Sequence, residues 1–181
     1  WLALRKMDAK TRPHFVTTVH GLNSVSAYSG IMTKGEVVIA VSETVRDYVL
    51  KHYPACNPAR IKLIYRGVEP SEFPFQYQPS ATWLAQWQQD YPELAGKQVL
   101  ALPGRITRLK GHETFLTLIS ALRAQGLPVH GLIVGGVEKK KRAYLAELKA
   151  RVAEMGLASD ISFTGLRSDI RDVFSQCQLV L

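Results

Sequence analysis

The sharpest chemical feature of this sequence is the decapeptide Leu102-Pro-Gly-Arg-Ile-Thr-Arg-Leu-Lys-Gly111, with Arg105 and Lys110 set between two glycines. Gly104 and Gly111 let backbone approach a ligand with no Cβ in the way. Arg105 can fork onto two phosphate oxygens, and Lys110 supplies a compact cation from the far side of the loop. Each cation about 4 Å from a phosphate oxygen is worth up to about 4 kcal/mol gross at a surface-like dielectric, enough to stabilise a departing diphosphate. Spacing alone leaves open the plainer reading of two solvated cations beside turn glycines. Gly135-Gly136 repeats the theme: these glycines bring backbone to a ligand, or they only make a tight turn. His20-Gly21 ends an apolar run, and a histidine there can hydrogen-bond substrate hydroxyls or manage a proton. His14, His52, His112 and His130 show no metal-ligand spacing, and no paired acidic motif accompanies them, so neither a metal nor another resident cofactor is expected. The run Lys139-Lys-Lys-Arg142 reads as a solvated helix face, with acidic lipid headgroups as the alternative contact.

The elements that must position these residues follow from periodicity. Near-continuous apolar runs at Phe15–Val19, Val37–Val41, Ile61–Tyr65, Gln98–Leu102, Val129–Val134, Ile161–Phe163 and Leu179–Leu181 suit parallel strands covered on both faces. Between them Phe115, Leu118, Ile119 and Leu122 share one helix face, as do Leu145, Leu148, Val152 and Met155. Gly126 and Gly156 stand at C-terminal cap positions, and Ser42 caps a helix over Glu43–His52. The pattern is a βαβ series, hence a right-handed, doubly wound parallel α/β fold. Gly67 to Pro79 breaks the rhythm with three prolines and reads as a semi-rigid crossover. A helix over Ala81–Asp90 follows it, with Trp83, Leu84 and Trp87 on one side.

Composition narrows the class. The 181 residues amount to one domain or slightly more, and 46% hydrophobic against 21% charged residues excludes a disordered tail. A net charge of +8 predicts anionic partners. Cys56 and Cys177 form no scaffold pattern, which points to a reducing compartment. No apolar run reaches the roughly 18 residues of a spanning helix, and no secretory signal is legible. Trp1 in place of Met, and an apolar ending at Gln178–Leu181 without a turn, suggest a piece of a longer chain.

The order of motifs carries more than any one of them: Thr18-Val-His-Gly21, Val38-Ile-Ala-Val-Ser-Glu43, Ile64-Tyr-Arg-Gly-Val-Glu69 with Phe73-Pro74, Gly104-Arg105 to Lys110-Gly111, Val134-Gly-Gly136 and Phe163-Thr-Gly165. This succession resembles the retaining GT-B-fold glycosyltransferases of family 4, the group-1 type, over nearly the whole chain. The resemblance implies two Rossmann-like parallel α/β domains, both incomplete here. Residues 1–68 would be the end of an acceptor-side domain, and residues 69–181 a linker and the first part of a donor-side domain. Arg105 and Lys110 would clamp the diphosphate of a nucleotide-sugar. His20, with Gly21, would sit near the transferred sugar and the acceptor. Gly104, Gly111, Gly135 and Gly136 would line the donor cleft, and Gly165, Leu166 and Arg167 would lie near the nucleobase.

The implied reaction moves a sugar from a nucleotide-diphosphate donor to a hydroxyl on a glycan or glycolipid with retention, in envelope polysaccharide or lipopolysaccharide synthesis. The implied setting is cytoplasmic, at an acidic inner leaflet. Arg66 stands where the family commonly has Asn, and Glu69 where it commonly has Asp. The family's first glycine-rich loop and its later acidic pair have no match, so the fragment by itself is expected to be inactive. Two alternatives stand beside this reading: a sugar-nucleotide epimerase of the same build, and a non-catalytic basic module for nucleic acid or acidic membranes. The absence of aromatics within Lys139–Arg142 and of a nucleic-acid motif argues against the second.

Overall fold

The computed structural model describes all of residues 1–181, arranged as two compact units, Trp1–Glu69 and Pro70–Leu181. The first unit opens with a short helix, α1 (Leu2–Arg5), followed by β1 (Val16–Val19), β2 (Val37–Ala40), α2 (Glu43–His52) and β3 (Ile61–Leu63). The strands are parallel in the order β1-β2-β3, with Val19 opposite Ala40 and Ala40 opposite Leu63. Ser42 caps α2 as its spacing predicts: its Oγ accepts from the Val45 N–H at 3.2 Å. Val45 and Val49 on the inner face of α2 pack with Val19, Val38, Ala40 and Cys56 to form the core.

The second unit holds α3 (Ala81–Asp90), β4 (Gln98–Pro103), α4 (His112–Ala124), β5 (Val129–Val134), α5 (Arg142–Glu154), β6 (Ile161–Gly165), α6 (Ile170–Ser175) and β7 (Leu179–Val180). Its parallel sheet runs β6-β5-β4-β7. The chain steps outward from β4 to β6 and then crosses back to β7, so the order reverses beside β4. Doubly wound sheets bind ligands at the carboxyl ends of strands at such a point. Alternation along the strands feeds two cores. Leu100, Ile133 and Ile161 meet Phe115, Leu116, Ile119 and Leu148 on one face, and Ala101, Leu132 and Val134 meet Trp87, Leu94 and Val173 on the other. Gly126 (φ +79°) and Gly156 (φ +64°) lie just past the ends of α4 and α5, as cap chemistry requires. Residues 64–80 hold no helix or strand. They are tied to α6 by Tyr77 Oη donating to Asp172 Oδ1 at 2.7 Å and Arg171 Nη1 donating to the Glu72 carbonyl. No helix is long and apolar enough to cross a membrane.

One polar network lies among these apolar layers. His130 on β5 is 1% exposed. Lys97 Nζ, 3.5 Å away, can only donate, so His130 Nδ1 accepts and Nε2–H donates to Ser162 Oγ at 3.0 Å, which in turn donates to Glu93 Oε1 at 2.6 Å. Burial, seconded by the Lys97 charge, pulls the imidazole down from 6.5 to about 4. The unfolded chain therefore takes up a proton between pH 6.5 and 4 that the folded chain refuses, and stability falls as pH drops through that window. The loss attributable to His130 reaches about 3 kcal/mol near pH 4. Glu93 and Asp160, held below the usual carboxylate range against their own burial by Ser162 and Lys97 respectively, add their losses at lower pH. Urea midpoints from pH 7 to 4 should steepen downward in the wild type and flatten in His130→Gln. Parallel profiles would refute this assignment.

Candidate functional site

In the second unit, the loops leaving β4, β5 and β6 converge at the carboxyl edge of the sheet. Pairing between the first two continues past the strands: Gly104 N–H donates to the Val134 carbonyl at 2.8 Å, and Ile106 N–H to the Gly136 carbonyl at 3.0 Å. Ile106 is buried and anchors the loop from below. Gly104 adopts φ +150°, which L side chains avoid. Gly135 is required for a different reason, since a Cβ there would fall 1.9 Å from the Gly104 carbonyl oxygen. The third loop closes on the second, where a Cβ on Gly136 would touch Leu166 Cβ at 3.5 Å.

The two cations rise from this floor. The Lys110 stem lies across Gly104, whose notional Cβ would be 3.5 Å from Lys110 Cδ. Arg105 Nη1 donates to Glu138 Oε1 at 2.7 Å, linking the first loop to the second across an exposed ion pair. An exposed pair of this kind is worth under about 1 kcal/mol and yields to a doubly charged ligand. Immediately after Lys110, Gly111 (φ +71°) begins α4 with no side-chain cap, so the first N–H groups of a 13-residue helix meet no capping oxygen. A bare helix N-terminus that directly follows a lysine suits an anion.

Neighbouring side chains brace the loop. Arg108 is held by Glu147 and by Glu113 at 3.5 Å, above the Tyr144 ring. His112 is buried, with Nδ1 3.2 Å from the Thr107 carbonyl, and burial lowers its pKa. Lys139–Lys141 form an exposed turn before α5, with no acidic residue in the first turn of that helix.

Gly104, Arg105, Lys110, Gly111, Gly135 and Gly136 thus come together, and Gly165 (φ +71°) ends β6 at the same edge. The Arg167 fork is engaged within the chain. Its Nε donates to Asp169 Oδ1 at 2.8 Å and Nη2 to Oδ2, while the guanidinium lies 5.6 Å from the Trp87 ring. Asp169 also accepts from Trp83 Nε1 at 2.7 Å, and Arg167 holds its carboxyl below the ordinary range. Arg167 thereby braces the loop that carries Gly165 and Leu166, because a carboxylate two residues away matches its planar fork.

In the first unit, His20 and Gly21 follow β1 at the carboxyl edge of that sheet. The Gly21 carbonyl accepts from the Asn23 backbone and side chain. Arg66, three residues past β3, donates from Nη2 to His20 Nδ1 at 2.5 Å. Sequence reasoning missed Glu138, Asp169 and this partnership of Arg66. For Glu138 the available signal was an acid two residues past the glycine pair, opposite in sign to Arg105.

Comparison with known proteins bears on family and fold. Residues 1–72 match the model described as Glycosyltransferase Family 4, and residues 97–181 match that of Glycosyl transferases group 1. Over 77 residues, 42% of this chain, it is 36% identical to the alpha-maltose-1-phosphate synthase of Mycolicibacterium smegmatis, a stretch that is 19% of that protein. A glycosyltransferase from Rickettsia africae superposes with TM-score 0.76 at 24% identity, covering 94% of this chain and 45% of that one. Anabaena Alr3699/HepE, solved with UDP and glucose, gives 0.78 at 21%, covering 93% and 46%. Sucrose-phosphate synthase from Thermosynechococcus elongatus gives 0.72 at 19%, covering 99% and 46%. These structural likenesses establish a shared GT-B-type α/β fold, and the chain spans less than half the length of each of these solved relatives. With both family models matched in order along nearly the whole sequence, the chain belongs to the group 1, family 4 glycosyltransferases.

Proposed function

We propose that the second unit binds a nucleotide-diphosphate sugar and that the full-length protein transfers the sugar to a hydroxyl acceptor with retention. The observation that supports this reading is that the loop after β4 packs through Gly104 on Gly135 and under the Lys110 stem, carries Arg105, and leads into the uncapped N-terminus of α4. As the anomeric C–O bond breaks, charge grows on the diphosphate oxygens. Cations and N–H groups that meet that charge would stabilise the transition state more than the ground state. The acceptor oxygen bonds to the anomeric carbon on the face the diphosphate leaves, and the hydroxyl proton departs with the diphosphate. Side-chain cations meet the developing charge, so this reading assigns no resident metal or cofactor. Gly21 and His20 serve the sugar and acceptor, and Gly165 with Leu166 serves the base. We assign the acceptor to an envelope glycan or glycolipid and the setting to the cytoplasm. There the exposed run Lys139–Arg142 would favour an acidic leaflet.

The UDP and glucose in the Anabaena structure make UDP the first probe to try. A thermal-shift panel of UDP, GDP, ADP and CDP on the full-length protein should single out one nucleotide. At a hundred times its Kd, that ligand adds about 2.7 kcal/mol of apparent stability, a rise of several degrees. No shift with any nucleoside diphosphate, alongside salt-sensitive RNA or vesicle binding, would restore the basic-module alternative. An epimerised donor formed without acceptor would favour the epimerase.

A further inference from the structure

We infer that Arg66 fixes His20 as a hydrogen-bond donor toward the substrate, which removes it from consideration as a base. The inference rests on the reading of His20 as facing the sugar. Strands β1 and β3 are parallel and flank β2, so His20 and Arg66, following their ends, project from one edge of the sheet. Across that edge Arg66 Nη2 lies 2.5 Å from His20 Nδ1.

A guanidinium has five N–H donors, no acceptor, and keeps its proton at any working pH. The contact is a hydrogen bond only if Nδ1 presents its lone pair. In a neutral imidazole the hydrogen must then reside on Nε2. In that state neither nitrogen can take a proton from an acceptor hydroxyl, because Nδ1 is occupied by Arg66 and Nε2 already carries hydrogen. What His20 can do is donate Nε2–H to a ligand oxygen. Of the two roles that the sequence left open, hydrogen-bonding a hydroxyl survives and proton removal does not.

An asparagine in place of Arg66 would carry both a donor and an acceptor and permit either tautomer. Arg66 acts through His20 and is a positioning residue.

The test uses full-length protein labelled with 15N-histidine. Long-range 1H–15N correlation, with the His20 signal identified by its absence in His20→Gln, should show the Nε2–H tautomer in the wild type. Arg66→Met and Arg66→Asn should each give a tautomer mixture and a kcat lowered about tenfold or more. Arg66→Lys, another donor without an acceptor, should restore Nε2–H and bring kcat to within about threefold of wild type. The Kd for the nucleoside diphosphate, which lacks the sugar, should stay within about twofold in all three. Arg66 is exposed, so these variants are expected to fold. An Nδ1–H tautomer in the wild type, or unchanged tautomer or turnover in Arg66→Met, overturns the inference. If no nucleoside diphosphate binds the wild type, the glycosyltransferase reading fails instead, and the spectra still decide the tautomer.

Discussion

Replacing either Arg105 or Lys110 with alanine in the full-length protein is expected to lower kcat/KM by about a hundredfold or more, which is roughly 2.7 kcal/mol of transition-state stabilisation. The magnitude follows from where the charge sits. Both side chains stand on a rigid floor rather than on free loop: the Lys110 stem lies on Gly104, and Arg105 precedes the buried Ile106. A cation that meets the departing diphosphate offsets the charge growing on it. Glu138 tempers the free state only, since its exposed pair with Arg105 is weak. Arg105→Lys should recover part of the loss, because it keeps the charge and gives up the fork. Steady-state kinetics on the purified variants are the measurement. If both alanine variants lose less than about tenfold, the clamp is not where the chemistry happens.

The second large effect is expected from a single methyl group. Gly135→Ala places a Cβ 1.9 Å from the Gly104 carbonyl oxygen, and that neighbour is backbone, with no flexible tip to swing aside. Relief requires the loops after β4 and β5 to separate. That would break the Gly104–Val134 and Ile106–Gly136 hydrogen bonds and lift Arg105 away from its place. Overpacking in a well-packed site costs about 1–3 kcal/mol where side chains can adjust, and a backbone obstruction belongs at or above the top of that range. Urea titration should show a loss of about 3 kcal/mol or more, and nucleoside diphosphate affinity should fall by at least about tenfold. Gly136→Ala is the control, since its added Cβ meets Leu166 at an ordinary 3.5 Å. Equal behaviour of the two variants would show that the loops are not packed as described.

How much of this was legible beforehand depended on whether the signal was local. Helices at Glu43–His52 and Ala81–Asp90 fall where they were expected, because periodicity and serine caps act within a few residues. Strand ends were less legible. The third strand stops at Leu63, short of Tyr65, and the sixth runs on to Gly165 beyond Phe163, because ladder partners set those limits. Tyr144, outside the expected face of α5, is buried in the core with Phe115 and Leu148, with Arg108 over its ring. The short helix Leu2–Arg5 and the single turns at 108–110 and 139–141 went unforeseen, having too few residues to display a period. At the site, residue types were readable but partners were not. Arg105 meets Glu138 and Arg66 meets His20 only after folding brings separate strand ends together. Even Arg167 and Asp169, two residues apart, could not be paired without the backbone bend that faces them.

The hydrogen bonds that lace the loops after β4 and β5 have a mechanical consequence. Two segments sharing bonds on both sides of a carbonyl-to-glycine contact cannot fluctuate independently, so the pair behaves as one stiff part with correlated motion. An incoming ligand then meets a receptacle that is already shaped, and little ordering entropy is charged against its association.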